Sequence, residues 1–328
     1  MEFLYDYGLF LLKSLTILVL ALILLGAVVA AATRGRSRDD EQLTVRDLNQ
    51  RYREMEQTLQ RKVLGRGPFR KLLRQSRRAR KRESRSERSR VYVLRFHGDI
   101  RATAVENLRE EISAILTLAR PGTDQAVLCL DSGGGLVPSY GLAAAQVARL
   151  RDADLGLTVT VDRVAASGGY LMAAIAQRIV AAPFAVVGSI GVVAQIPNVH
   201  RLLKRHDVDI ELLTAGQHKR TLTVLGKNTP EGRAKFQQEL EETHDLFKNY
   251  LQRYRPELDL GTLATGEHWY GEQALERGLV DAIGTSDDLL QKLAREHDLY
   301  EVRFSRRRPL GRRIGIAFER GLERLLQR

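Results

Sequence analysis

Two apolar runs, each ending in a glycine-rich turn that leads into a helical stretch, constrain this chain more than any other feature. The first is Gln125–Leu130, which passes into Asp131-Ser132-Gly133-Gly134-Gly135 and then a helical pattern to about Arg151. The second is Leu157–Val164, which passes through Ala165-Ala166 to Ser167-Gly168-Gly169 and a helical pattern from Gly168. Val159, Val161 and Val164 suit a strand, and Tyr170-Leu171-Met172-Ala173-Ala174 suits a helix. Strand, turn and helix in repetition predict an α/β fold with a largely parallel sheet. In such a sheet both turns emerge at the same strand ends, where these folds bind ligands.

The surrounding elements agree with that class. Val91 opens a strand (VYVLRF), and Ala104–Leu118 is amphipathic with a helical period. Arg178–Ala182, Gly188–Gln195, Val208–Thr214 and Leu279–Ile283 read as short strands. Pro197–Arg205 and Thr229–Tyr254 read as helices, as does Ser286–His297 with Ser286 as its cap. The apolar region 172–197 is interrupted by Gln177 and Arg178, so it is core and not a membrane span.

Charge divides the chain further. The net charge is +12, yet residues 61–90 alone carry +12 and residues 303–328 carry +7, which leaves −7 on the rest. Gly8–Ala32 is apolar apart from Lys13, Ser14 and Thr16, long enough for an uncleaved membrane anchor. No Lys or Arg precedes it, whereas Arg34, Arg36 and Arg38 follow, a bias that favours a cytoplasmic C-terminal side. Asp39–Leu64 has helical spacing in Leu43, Leu48, Tyr52, Met55, Leu59 and Val63. Arg66–Arg90 is Arg/Ser-rich and reads as a linker beside anionic lipid; without aromatic interleaving, nucleic acid is not its expected partner. Ile314–Leu326 places Ile314, Phe318, Leu322 and Leu325 on one face of a basic helix, fit for a membrane interface or a second subunit. The expected domains are an anchor (1–33), a charged extension (34–90), a globular domain (91–300) and a basic tail (301–328). The single cysteine, Cys129, lies in the first apolar run and reads as a buried structural thiol.

Ser167 is the candidate for chemistry. A serine at a strand-to-helix turn stands beside backbone N–H groups that a helix start leaves unpaired, which suits a nucleophile whose attack creates an oxyanion. The same position also suits a plain helix cap. Seven histidines are present and none stands out as a base, so a desolvated lysine is the other option. Lys219 follows a strand-like run, and Lys227 stands equally near. No HExxH or comparable ligand spacing occurs, and no cofactor is called for.

AASGGY, the preceding SGGG turn, VGSIGV, AGQHKRT and TGEHWYGEQALERGLVD together resemble the signal peptide peptidase A (SppA) family of serine proteases, with most similarity to its SohB branch. The resemblance covers roughly Val91–Leu293, and the N-terminal arrangement extends it. It implies a ClpP/crotonase-like fold and a membrane-anchored endopeptidase with a Ser–Lys dyad. Ser167 matches the nucleophile, Lys219 the general base and Ser189 the hydroxyl that orients the lysine. Gly134 and Gly168 match the oxyanion donors, with Gly135 the alternative to Gly134; Gly133 stands where relatives often have proline. The resemblance further implies ring assembly, with the lysine in several members meeting a serine from a neighbouring domain or subunit. It also implies signal peptides or other unfolded segments as substrates, and a single-pass location in the bacterial inner membrane. The side of the membrane stays open. A crotonase-like acyl-CoA enzyme and a non-catalytic membrane scaffold are the competing readings.

Overall fold

The computed structural model describes residues 7–21, 24, 41–65, 67–69, 72–73, 88–216 and 218–306. The chain divides into two compact units, residues 1–44 with 304–328, and residues 45–303. Residues 7–21 are helical and exposed, and among the described residues no helix is long and apolar enough to cross a membrane. Much of the expected anchor, most of the Arg-rich run and the whole basic amphipathic tail lie outside the described residues.

The elements in chain order are β1 (Glu41–Asp47), α1 (Leu48–Val63), β2 (Arg90–Gly98), α2 (Val105–Leu116), β3 (Gln125–Ser132), α3 (Val137–Asp152), β4 (Gly156–Ala166) and α4 (Gly168–Ala173). There follow β5 (Arg178–Ala181), β6 (Val186–Gly188), α5 (His200–Arg205), α6 (Pro230–Tyr254), α7 (Leu260–Leu263), β7 (His268–Tyr270), α8 (Gly271–Glu276), β8 (Ala282–Ile283), α9 (Ser286–Glu296) and β9 (Asp298–Arg306). The sheet runs β1-β9-β2-β3-β4-β5-β8, with β6 beside β4 and β7 beside β6. The β9–β2, β2–β3, β3–β4, β4–β5, β5–β8 and β4–β6 pairs are parallel, and β6–β7 is antiparallel. The expected α/β class with a largely parallel sheet is what the chain adopts.

Side-chain alternation builds two cores from one sheet. Tyr92, Leu94 and Phe96 of β2 and Ala126, Leu128 and Leu130 of β3 join the larger core with α2, α3 and α4. Val91, Val93, Val127 and Cys129 point the other way, into a smaller core with Leu48 of α1 and Leu290 of α9. Burial pushes the Cys129 thiol up from its ordinary pKa, consistent with an inert core residue.

β4 is the central element. Its first half, Thr158–Val161, pairs with β5, and its second half, Val164–Ala166, pairs with β6. The sheet therefore forks, and the ends of β3, β4 and β6 come level: Ser132 pairs with Ala165, and Ala166 pairs with Gly188.

The expected strand over Gly188–Gln195 does not form, because β6 (Val186–Gly188) ends where that stretch begins. Three further sequence expectations change. The helical spacing over Asp39–Leu64 contains two elements, β1 and α1, because Asp47 caps α1 by accepting from the Gln50 N–H at 2.8 Å. Val208–Thr214 forms no strand despite its alternation; Val208, Ile210, Leu212 and Leu213 are exposed, and a strand needs a partner ladder. Thr285 caps α9, and Ser286 ties the helix to β4 instead, donating its N–H (2.7 Å) and hydroxyl (2.5 Å) to the Asp162 carboxylate.

Asp124 holds the starts of β2 and β3 together. It is 1% exposed and accepts the Arg90 N–H (2.9 Å), the Arg120 N–H (3.0 Å) and the Arg120 guanidinium (2.8 Å). Burial works to raise its pKa, but these donors hold the carboxyl below its ordinary value. A lowered carboxyl stabilises the fold above its unfolded pKa, and that contribution disappears as pH falls through the folded pKa. Asp124→Asn is therefore expected to cost about 2–3 kcal/mol at pH 7. The gap to wild type should narrow as pH falls below about 4, as read by urea unfolding across pH.

Candidate active site

Ser167 ends the second half of β4, and its backbone is unusual. It sits at φ 52°, ψ −120°, a conformation that costs a residue with a side chain of order 1–3 kcal/mol. Two features hold it there. Its N–H donates to the Gly188 carbonyl at 2.8 Å, and Leu171 N–H returns to the Ser167 carbonyl at 3.0 Å. The serine caps nothing: no side-chain cap bond forms at the start of α4. Of the two meanings of a serine before a helix, the structure removes the cap.

The turn after β3 closes on this one. Gly134 has φ 85°, and a Cβ there would stand 2.7 Å from the Gly168 nitrogen and 2.8 Å from Ser167 Cβ. Only a glycine lets the two turns approach so closely. Gly168 in turn lies against the Tyr140 ring, where a Cβ would collide. Tyr140 is almost wholly buried, and its hydroxyl donates to the Asp99 carbonyl at 2.8 Å while pairing with Ser132 Oγ at 2.6 Å. Ser132 Oγ also accepts the Gly134 N–H at 3.2 Å. A continuous run of hydrogen bonds thus fixes the first glycine turn relative to the second. Burial raises the Tyr140 phenol pKa, so it stays a neutral donor. The Gly134 amide is engaged with Ser132, whereas no bond from the Gly135 amide occurs among the described residues.

Ser189 follows β6 as Ser167 follows β4. It too has φ 52°, and its N–H donates to the Glu267 carbonyl at 2.6 Å. Ser167, Ser189 and Gly133–Gly135 border one cavity of about 750 Å³, together with Gly191–Ala194, Thr265 and Gly266. The opposite wall is α6, through Gln237, Leu240, Glu241 and His244. A smaller pocket of about 170 Å³ opens beside Ser167 and Gly168, walled by Val137, Tyr140, Leu171, Val192, Leu246, Phe247 and Tyr250 among others. One helix face therefore lines a compartment of mixed character and an adjoining face an apolar one.

The structure brings together four of the five singled-out residues: Ser167, Ser189, Gly134 and Gly168. Lys219 does not line either cavity. It is exposed, in the irregular stretch after α5, near Gly216. The α6 residues were not picked out from the sequence, and His244 is the histidine that reaches the cleft. Their spacing at 237, 241 and 244 marks one helix face and was the available signal. Among the described residues no group of three or more His, Cys, Asp or Glu is placed to hold a metal ion.

The chain is similar to several known proteins. Residues 2–147 match the family described as Peptidase family S49 N-terminal, and residues 149–300 match Peptidase family S49. The probable protease SohB of Haemophilus influenzae is 45% identical, covering 100% of this chain and 96% of the relative. The putative signal peptide peptidase SppA of Enterococcus faecium is 29% identical over 67% of each chain. Among solved structures, a mutant of the 1510-N membrane-bound stomatin-specific protease aligns with 63% of this chain at 14% identity and a TM-score of 0.36.

The close approach at Gly134 generates a prediction. Gly134→Ala would press on the Gly168 amide and displace Ser167. Hydrolysis of an activated acyl ester should fall about 10²-fold, the scale of a lost oxyanion donor. Calorimetry run alongside should still show a folded, cooperative transition.

Proposed function

Because the chain belongs to peptidase family S49, we propose that this peptidase is a membrane-anchored serine endopeptidase in which Ser167 is the nucleophile and Lys219 the general base. The observation that carries the reading is the backbone of Ser167, held at φ 52° between two glycine turns at the edge of a cleft. Such strain at a strand-to-helix turn presents a hydroxyl to a bound substrate.

The reaction follows from the groups present. Lys219 Nζ takes the Ser167 hydroxyl proton as Oγ bonds to the substrate carbonyl carbon. The carbonyl oxygen gains the electron pair, and amides of Gly168 and of the Gly134–Gly135 turn stabilise it. Collapse of this intermediate breaks the C–N bond, and the protonated lysine returns its proton to the leaving amine. Water, activated by the same lysine, then releases the acyl group from Ser167. Ser189, on the neighbouring strand end, orients the lysine.

Lys219 reaches this site from a second copy of the chain. Its own segment is exposed and carries apolar side chains with no cover, Leu213 at 90% and Leu212 at 49%. Val193, at the cleft edge, is 91% exposed. Docking of that segment on a neighbour would cover these residues and take water from the lysine amine, which favours the neutral base. The substrate is an extended, unfolded peptide, signal peptides included, with an apolar side chain in the 170 Å³ pocket. The apolar stretch 8–32 anchors the protein in the bacterial inner membrane and the basic segments lie against anionic lipid.

Ser167→Ala and Lys219→Ala should each lose peptide hydrolysis by about 10³-fold or more, with the oligomer intact on size-exclusion chromatography. Mixing the two inactive variants under conditions of subunit exchange should restore part of the activity. Near-full activity in Lys219→Ala would remove the dyad, and no recovery in verified mixed oligomers would remove the shared site.

A further inference from the structure

We propose that the α6 wall of the cleft selects peptides carrying a basic side chain close to the apolar residue that enters the small pocket. The proposal rests on the serine peptidase reading and adds a substrate class to it. Gln237, Glu241 and His244 lie about one helical turn apart and face the large compartment opposite Ser167 and Ser189. Thr243, Leu246, Phe247 and Tyr250 face the small one.

Among the residues lining the large compartment, Glu241 and His244 are the ionisable ones, and none is a lysine or arginine. The rest are Gly, Ser, Val, Ala, Leu, Thr and Gln, so Glu241 is the one carboxylate that this copy of the chain presents to a bound peptide there. Glu241 forms no ion pair among the described residues; its hydrogen-bond partner is the Gln237 side-chain amide at 3.0 Å. That bond leaves acceptor capacity on the carboxylate and aligns it along the wall. Of the next acids on the helix, Glu242 accepts from the Gln238 side-chain amide at 2.8 Å and does not line the compartment, and Asp245 is paired with Lys248 at 2.8 Å.

His244 borders the same wall. Its Nε2 is closed off from solvent and has no hydrogen-bond partner among the described residues. A guanidinium or ammonium entering beside Glu241 carries several N–H groups and can donate to the free acceptor sites of its carboxylate. An acidic side chain would meet repulsion from Glu241. The adjoining apolar pocket takes the neighbouring residue of the same extended peptide. The selected sequence therefore combines one apolar and one basic residue within a few positions of the cleaved bond.

The test uses full-length protein in detergent. Fluorogenic peptides share one apolar residue at the cleaved bond and carry Lys, norleucine or Glu at each flanking position in turn. At one or two positions, wild type should favour Lys over norleucine about tenfold in kcat/KM. Glu241→Gln should bring that ratio close to one, and Glu241→Lys should invert it in favour of Glu. The same ranking should appear in binding of the peptides to Ser167→Ala, read by fluorescence anisotropy without turnover. An identical Lys/norleucine ratio in wild type and Glu241→Gln would overturn the proposal. So would a Glu241→Gln variant whose kcat falls equally for every peptide with KM unchanged, since Glu241 would then serve the base and not the substrate. Hydrolysis persisting in Ser167→Ala would instead count against the nucleophile, so the two failures are told apart.

Discussion

The site depends on one close approach, that of the Gly134 backbone to the Gly168 amide and Ser167. Parallel pairing brings the ends of β3 and β4 level, so the two turns meet. The absence of side chains at 134 and 168 then lets them touch, with the Tyr140 ring packed beneath. The Tyr140, Ser132 and Asp99 hydrogen bonds lock this contact from below. It adds to the two backbone hydrogen bonds, to Gly188 and from Leu171, that hold Ser167 at φ 52°. The strain is sustained by a buried aromatic ring and a sheet, not by the loop itself.

The fork in β4 extends the same logic. β6 leaves β5's side and pairs with the last residues of β4, which sets Ser189 beside Ser167 at neighbouring strand ends. The long helix α6 lines the cleft with Gln237, Leu240, Glu241 and His244, and the apolar pocket with an adjoining face. A rigid floor of glycine amides therefore faces a wall of side chains. The floor is suited to the chemistry common to peptide bonds, and the wall to differences between peptides.

Much of this was legible in the sequence for local reasons. The β3 and β4 runs, their glycine turns and Ser167 are read from short-range alternation and turn chemistry, and those elements form where expected. Gly134, Gly168 and Ser189 came through the resemblance of whole motifs; Gly134 and Ser189 border the cleft and Gly168 the small pocket beside it. The misses are tertiary. Leu43 and Val45 fit a helical period equally well as a strand, and the Asp47 cap decided between them. Val208–Thr214 has strand alternation, yet no strand of the described chain pairs with it. The α6 wall depends on how a helix packs across the sheet ends, which no local pattern encodes. Lys219 lines neither cavity of the described chain, and its exposed, irregular segment carries no local pattern that says where it packs.

The measurement that bears most directly on this account is intact-mass spectrometry of the detergent-solubilised protein after treatment with a fluorophosphonate. The account predicts a single adduct, located at Ser167 by peptide mapping and formed much more slowly in Lys219→Ala. An assembled wild-type protein that takes no adduct would contradict it. So would one modified at a different serine, or a Lys219→Ala variant labelled at the wild-type rate.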